Sequence, residues 1–446
     1  MYEKRQPIHP RETDGRYARL RWLCVWLTQL VYYGTPWLAW NGRQAVLFDL
    51  GARKFYVFGL VLWPQDFIYL AALLILCAWA LFLVTAVAGR VWCGFACPQT
   101  VYTSIFLWLE RRIEGSRAAR IALDRQGPSV RKFARRTARH LAWGAVALWT
   151  GFTFVGYFTP VRELGMDVAT LSLGPWQWFW VLFYSFATYG NAGWLREQVC
   201  RYMCPYARFQ GAMFDRDTLI ITYDTVRGEP RSRKAANGAC IDCTLCVQVC
   251  PAGIDIRNGL QYECIGCAAC VDACNNVMDR TGQPRGLIRY STGRAMASRL
   301  TRTQIGRRLL RPRVLAYCAA LLAASLAMGY ALATRIPLKV DVLRDRGSMG
   351  REVDGGAIEN VYRLQVMNTS EQPHRYRIAV AGLPGLALAT GSVADLAGTE
   401  TRAVPVRVRA PHGAGKPGSN AITFTLTALD DARLSVGERA VFIVPH

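Results

Sequence analysis

Five apolar runs constrain this chain before any other feature. They lie near residues 22–40, 67–89, 141–158, 176–194 and 314–334. Each approaches the ~20 residues that cross a bilayer as a helix. A buried core helix is the alternative for any single run, but five of them with matching flanks predict a multi-pass α-helical membrane region. The first follows a 21-residue basic leader without a small-residue cleavage site, so it reads as a retained anchor and not a signal peptide. The fourth contains PWQWFWVLFYSF, which suits an interfacial aromatic belt. The composition, 52% hydrophobic with a net charge of +23, fits membrane segments alternating with basic soluble parts.

The placement of that charge orients the runs. Residues 1–21 carry six Lys and Arg, 90–140 carry eleven and 195–313 carry nineteen, whereas 41–65 carry three and 159–175 carry one. The alternation follows the positive-inside rule. It predicts a cytoplasmic N-terminus, a cytoplasmic 90–140 loop and a cytoplasmic 195–313 segment, with the short loops and everything after residue 335 facing outward. The basic charge is therefore topogenic, and nucleic-acid binding is not expected.

Two short motifs follow from this parity. RVWCGFACPQ begins at residue 90, directly after the second run, and VCRYMCPYAR begins at residue 199, after the fourth. Both runs travel inward, so Cys93, Cys97, Cys200 and Cys204 are all expected at the cytoplasmic membrane edge. The residue before a proline avoids helical geometry, which places Cys97 and Cys204 at helix breaks. Met203 offers a thioether or plain packing. Cys24, Cys77 and Cys318 fall within runs and read as small apolar residues.

All 15 cysteines lie at or before residue 318, which points to local metal chemistry and not to a disulfide framework. Residues 240–274 read CIDCTLCVQVCPAGIDIRNGLQYECIGCAACVDAC, which is C-x2-C-x2-C-x3-C twice. That is the two-cluster ferredoxin pattern, in which the fourth cysteine of each motif serves the other cluster. Cys240, Cys243, Cys246 and Cys274 are expected to hold one [4Fe–4S] cluster, and Cys250, Cys264, Cys267 and Cys270 the second. Zinc has no use for the third and fourth spacings, and disulfides are disfavoured in the cytoplasm. Arg257, Arg280, Arg285 and Arg289 flank the motifs, either to steer an acidic electron donor or as a solvated basic face.

After the fifth run the chain changes character. KVDVLRD, NVYRLQVMN, HRYRIAVAG, RAVPVRVRA, NAITFTLTAL and ERAVFIVP are short, alternating segments separated by turn residues, as in an immunoglobulin-like sandwich. His374 and His412 read as surface residues, and the expected role of this domain is protein contact.

Taken together, RVWCGFACPQTVY, VCRYMCPYAR, the cysteine repeat and HPRETDGRYARLRW resemble the cytochrome c oxidase accessory protein family (CcoG/FixG/RdxA). The resemblance implies assembly of a cbb3-type, copper-containing oxidase through cytoplasmic reduction of Cu(II) to Cu(I). Soft thiolates favour Cu(I), so the four membrane-edge cysteines are the candidate copper site, with an additional iron site as the alternative. Expected partners are the bilayer, copper ion, a cytoplasmic electron donor, and an oxidase subunit or copper-transport and assembly factors. An electron-transfer subunit carrying quinol or ferredoxin electrons, or a non-catalytic assembly scaffold, are the competing readings. The expected organisation is a basic N-terminus (1–21), four transmembrane helices (22–194), a cytoplasmic segment (195–313) with a two-cluster ferredoxin-like α+β module at about 236–280, a fifth helix (314–334) and a periplasmic all-β domain (335–446).

Overall fold

A computed structural model describes residues 8–232, 238–345, 350–353 and 355–445; the first seven residues of the leader and the expected start of the cluster module at 236 lie outside them. The chain divides into two compact units, Met1–Leu47 with Leu70–Leu326, and Phe48–Tyr69 with Ala327–His446.

All five apolar runs fall on helices, but among the described residues only Pro64–Ala88 and Pro312–Ala333 are long and apolar enough to cross a membrane. The other three are interrupted, for reasons visible in the sequence. Helix α1 (Arg16–Gly34) starts inside the basic leader and stops short of residue 40, because Pro36 forms a tight turn at Thr35–Trp37 and a short strand follows at Ala39–Trp40. The third run begins within a longer helix, Val130–Val155, whose first turns carry Arg131, Lys132, Arg135, Arg136 and Arg139. The fourth is an α-helix only over Pro175–Thr188, then widens to a π-helix at Tyr189–Leu195 and breaks at Arg196, φ 45°.

Helix α2 (Phe67–Ala88) ends at a tight junction. The Ala86 carbonyl accepts from Thr218 Oγ1 (3.1 Å) and from Arg311 Nη2 (2.8 Å), and the Leu219 amide donates to the Val87 carbonyl (3.0 Å). The end of one apolar helix is thereby tied to the start of the other. Helix α3 (Val91–Phe95) and helix α4 (Pro98–Glu114) follow at once.

The cysteine repeat folds around a small core of Ile221, Cys246, Ile256, Val271, Met278 and Ile288. An antiparallel pair, Ile220–Tyr223 with Ile288–Ser291, closes it. The two motifs share one backbone signature. The residues on either side of the middle cysteine are left-handed in both: Asp242 (φ 49°) and Thr244 (φ 57°) around Cys243, Gly266 (φ 67°) and Ala268 (φ 58°) around Cys267. Left-handed backbone at three non-glycine positions is held only where surroundings over-determine it. A helix starts at the next residue each time, Leu245–Gln248 and Ala269–Arg280.

The second unit is a sandwich of two antiparallel sheets. One runs in the order Ala387–Thr390, Thr401–Ala410, Ala357–Asn368, Leu338–Arg344, with Arg351–Val353 added at Ala357–Asn368. The other runs Val393–Leu396, His374–Ala381, Gly418–Ala428, Ser435–Val444. Strand period two sends Tyr362, Leu364 and Val366 inward against Ile378, Phe424, Leu426 and Phe442, all buried. Asp66 joins the preceding hairpin to this unit: it accepts from the Trp63 amide (3.0 Å), from Arg335 (2.7 Å) and from Lys339. His412 is exposed as expected, but His374 is not a free surface residue: half buried, it pairs with Asp430 (2.6 Å).

Candidate functional site

The cysteine repeat lines two adjoining cavities. One is bordered by Cys240, Cys243, Cys246 and Cys274, with Tyr223, Leu245 and Arg257. The other is bordered by Cys250, Cys264, Cys267 and Cys270, with Ile254 and Ile256, and Cys246 borders it too. The chain thus brings together the two sets of four that the crossed spacing predicts, and keeps them adjacent.

Burial dominates the chemistry of these thiols. It pushes Cys246 and Cys264 up to about 11, Cys250 and Cys274 to about 12, and Cys270 well above the ordinary thiol range. Thiols held this way stay protonated unless a metal takes the proton's place. Four sulfurs around one apolar cavity fit an iron–sulfur cubane as a donor set. The flanking arginines are mostly committed inside the module: Arg257 to Asp255 and Asp242, Arg285 to Asp279 and Arg289 to Asp224, which leaves the exposed Arg280. Three of the four are thus ion-paired within the module.

The two Cys-x3-Cys-Pro pairs mirror one another. Cys97 (ψ 129°) and Cys204 (ψ 108°) are both extended residues capping helices that begin with Pro98 and Pro205. The breaks expected from Cys-Pro are present. Cys93 lies in α3 and Cys200 in a π-turn, Val199–Met203. The four thiols are electrostatic neighbours. Burial raises Cys93 to about 11, and the nearby Cys97 and Cys204 add to the rise. Burial raises Cys200 to about 12, reinforced by Cys97, Cys93 and Cys204. Cys97 is also raised by burial. Among the described residues, however, no three His, Cys, Asp or Glu side chains converge tightly enough for a single metal ion. Met203 is exposed; Cys77 and Cys318 are exposed on their apolar helices, and Cys24 is half buried.

Residues that the sequence did not single out bind these parts together. Gln210, fully buried, meets the Cys93 sulfur through Nε2 at 3.4 Å, so the helix after the second pair reaches the first. Arg90 is buried with neutral partners: it donates to the Ala207 carbonyl (2.7 Å) and the Tyr262 carbonyl and stacks on the Tyr262 ring (4.7 Å). Its charge opposes the rise at Cys93, Cys200 and Cys264. One cation therefore serves both cysteine systems. Gly94 allows the closest approach: a β-carbon there would lie 2.8 Å from the Cys267 amide nitrogen and α-carbon. Asp272 caps α1, accepting from the Ala18 amide (2.7 Å) and the Tyr17 amide (3.3 Å). Arg90 and Gly94 lie in or beside the RVWCGFACPQ motif; nothing in the sequence marks Gln210 or Asp272.

Comparison with known proteins agrees with this arrangement. The family described as the immunoglobulin-like fold at the C-terminus of FixG matches residues 328–445. A 4Fe–4S dicluster domain matches 195–238 and 230–293, and a 4Fe–4S binding domain matches 70–115. The chain is 39% identical to Protein RdxA of Cereibacter sphaeroides, covering 97% of this chain and 95% of the relative. It is 38% identical to the nitrogen fixation protein FixG of Rhizobium meliloti, covering 92% and 85%. A crystal structure of a FixG-related protein from Vibrio parahaemolyticus aligns at 24% identity over 24% of this chain and 96% of that one, with a TM-score of 0.22. With its iron–sulfur cysteine repeat, its apolar helices and its C-terminal sandwich, the chain belongs to the FixG/RdxA family.

Proposed function

We propose that this protein is a membrane-bound cupric reductase that takes electrons through its cysteine-repeat module and delivers them to copper at Cys93, Cys97, Cys200 and Cys204. One observation carries the reading: the first membrane-edge motif is seated on the second ferredoxin motif, Gly94 against Cys267. Two [4Fe–4S] clusters, held by the two sets of four cysteines, would supply one-electron carriers a short step from that edge. On drawing together around copper, the four thiols would favour Cu(I) over Cu(II), since soft ligands stabilise the reduced ion. Cys93, Cys97 and Cys200 each give up a proton on binding copper, because burial keeps them protonated otherwise. Arg90 offsets the negative charge that four thiolates gather. The product, Cu(I), serves assembly of a cbb3-type oxidase. The N-terminus, the cysteines and the 90–140 loop face the cytoplasm, and the sandwich faces outward, where it contacts oxidase subunits or copper-handling factors.

A second reading has its own support. The 4Fe–4S binding domain matched at 70–115 contains Cys93 and Cys97 and none of the repeat cysteines. On that reading the four membrane-edge thiols hold a third iron–sulfur group and relay electrons to another acceptor.

Anaerobically purified protein separates the two. With dithionite as reductant and a Cu(I)-specific chelator as readout, a Cys97→Ser, Cys204→Ser double variant is expected to lose cupric reduction at least tenfold and to keep its cluster signals. Iron near eight per chain in both proteins fits copper chemistry; a fall from about twelve to about eight fits the third cluster. Parent-rate cupric reduction by the double variant sinks the proposal.

A further inference from the structure

A cavity of about 400 Å³ opens beside these cysteines. Three of its walls have different chemistry. Helix α1 contributes Ala18, Trp22, Val25 and Trp26, and Trp26 is 69% exposed on the apolar outer surface of that helix. Helix α4 contributes a polar stripe, Thr100, Thr103, Ser104 and Arg111, at helical spacing. The inner wall is Cys200 with Val249, Pro251, Ile265 and Ala269, of which Ile265 and Ala269 also border the second cysteine cavity.

The hydroxyls of the stripe have a fixed polarity. Thr100, Thr103 and Ser104 each donate their own hydrogen to a backbone carbonyl, of Cys93 (2.5 Å), Gln99 (2.6 Å) and Thr100 (2.7 Å). What remains on each oxygen is an acceptor. Glu197 and Glu263 add carboxylate acceptors, Glu263 paired with Arg201 at 3.6 Å, and Arg111 and Arg201 are two of seven arginines on the walls that add donors. The cavity therefore combines apolar residues on the exposed apolar surface of α1, acceptors for hydroxyl hydrogens, donors for carbonyl oxygens, and an inner wall that includes Cys200. Its size is that of small-molecule sites in general.

We propose that this cavity binds the ring of a membrane quinol, with its isoprenoid tail leaving past Trp22 and Trp26. A quinol presents two hydroxyl donors and its quinone two carbonyl acceptors, which matches the two kinds of polar group on the walls. A phosphate group by itself would use the arginines and leave the acceptor stripe unmet. Oxidation of one quinol would release two electrons, which iron–sulfur groups held by the two sets of four cysteines would accept one at a time, and two protons, for which Glu197 and Glu263 are the acceptors on the walls. The redox part of this inference rests on the electron-carrying role proposed above; the binding part does not.

The test is equilibrium binding of decylubiquinone to the detergent-solubilised full chain, read by calorimetry. One equivalent should bind saturably. Thr103→Phe fills the cavity and should weaken binding at least tenfold, and Ser104→Leu, a smaller change on the same stripe, should do so if Thr103→Phe does not fold. Cluster absorbance and dithionite-driven cupric reduction should stay at parent levels in the variant used. Unchanged binding in a folded variant overturns the proposal, as does displacement by n-decanol or short-chain phosphatidylglycerol at equal concentration. A chain that binds decylubiquinone yet fails to reduce Cu(II) supports this inference and overturns only the copper reading.

Discussion

Gly94 and Cys267 meet backbone to backbone, so the RVWCGFACPQ motif and the second ferredoxin motif share one contact surface with no side chain between them. A β-carbon at Gly94 would come within 2.8 Å of Cys267 and 2.9 Å of the Gly266 carbonyl carbon. Backbone on both sides cannot swing away as a side-chain tip can. Gly94→Ala is therefore expected to force the two segments apart at a cost of about 1–3 kcal/mol. The paramagnetic signal of the cluster at the second motif should broaden or vanish, while that at the first persists. Gly211→Ala, where the added carbon meets nothing within 4 Å, is the matched control. Equal spectra for the two variants would show that the contact carries no constraint.

The crossed ligand sets give a sharper expectation. Cys250 stands in the first motif by sequence but borders the cavity of the second, and Cys274 does the reverse. Cys250→Ser should lower iron from about eight to about four and remove the cluster at Cys264, Cys267 and Cys270. Cys274→Ser should remove the other one. Low-temperature paramagnetic resonance of each reduced variant reads this directly. Loss confined to the variant's own sequence motif would show uncrossed ligation.

These two sites differ in how much of them the sequence carries. The cubane sets follow from spacing alone, because a repeated local motif fixes which thiols can meet. The cysteine pairs at the membrane edge were legible as helix breaks, since proline acts on the residue before it. The couplings were not legible. Gln210 reaches Cys93 across 117 positions, Asp272 caps a helix more than 250 residues upstream, and buried Glu110 pairs with both Arg120 and Arg196. Such partners are chosen by tertiary packing and leave no periodic trace in one sequence. The apolar runs show the reverse limit. Composition located all five helices, but Pro36, the arginines of Val130–Val155 and the π-turn at Tyr189–Leu195 set where each stops being a clean span.

The topology can be checked at three points. Charge placement predicts one side for the 41–65 loop and the tail after 335, and the ion pairs of Asp66 with Arg335 and Lys339 agree with that expectation. Reporter fusions at Arg125 and Gly413 should report opposite compartments. A cysteine introduced at Ala52 should be labelled by an impermeant maleimide from the Gly413 side only. Labelling of Ala52→Cys from the Arg125 side would rule out the positive-inside assignment.

The sandwich carries a titratable tie of its own. Burial alone would raise Glu359, but Arg351 and Arg409 (2.7 Å) outweigh it and hold this carboxyl below its ordinary range. A depressed carboxyl stabilises the fold above its unfolded pKa and ceases to as pH falls through its folded pKa. Glu359→Gln should thus cost about 1–3 kcal/mol at pH 7 and progressively less below pH 4.5. Hydrogen exchange in Ala357–Asn368 and Thr401–Ala410 is the readout. A penalty that does not shrink on acidification would mean that shape, and not charge, holds the site.

Arg90 supplies the last prediction. It is a buried cation whose hydrogen-bond partners are neutral carbonyls, and its charge reaches Cys93, Cys200 and Cys264 alike. A buried charge without a counter-charge is costly, so its position is most stable when the cysteines around it carry negative charge as metal-bound thiolates. Any one-electron centre there gains a unit of negative charge on reduction, and a nearby cation favours that state. Arg90→Gln should therefore move the midpoint potential of the cluster at the second motif downward, on the order of tens of millivolts by Coulomb's law at a protein-like dielectric. The first cluster, where Arg90 is not among the main charges acting on Cys246 and Cys274, should shift less. Arg90→Lys keeps the charge and should restore most of the potential, though its compact head cannot span both carbonyls. Redox titration followed by paramagnetic resonance measures all three proteins. An upward shift, or equal shifts at both clusters, would mean that Arg90 only packs the junction between the two cysteine systems and does not tune it.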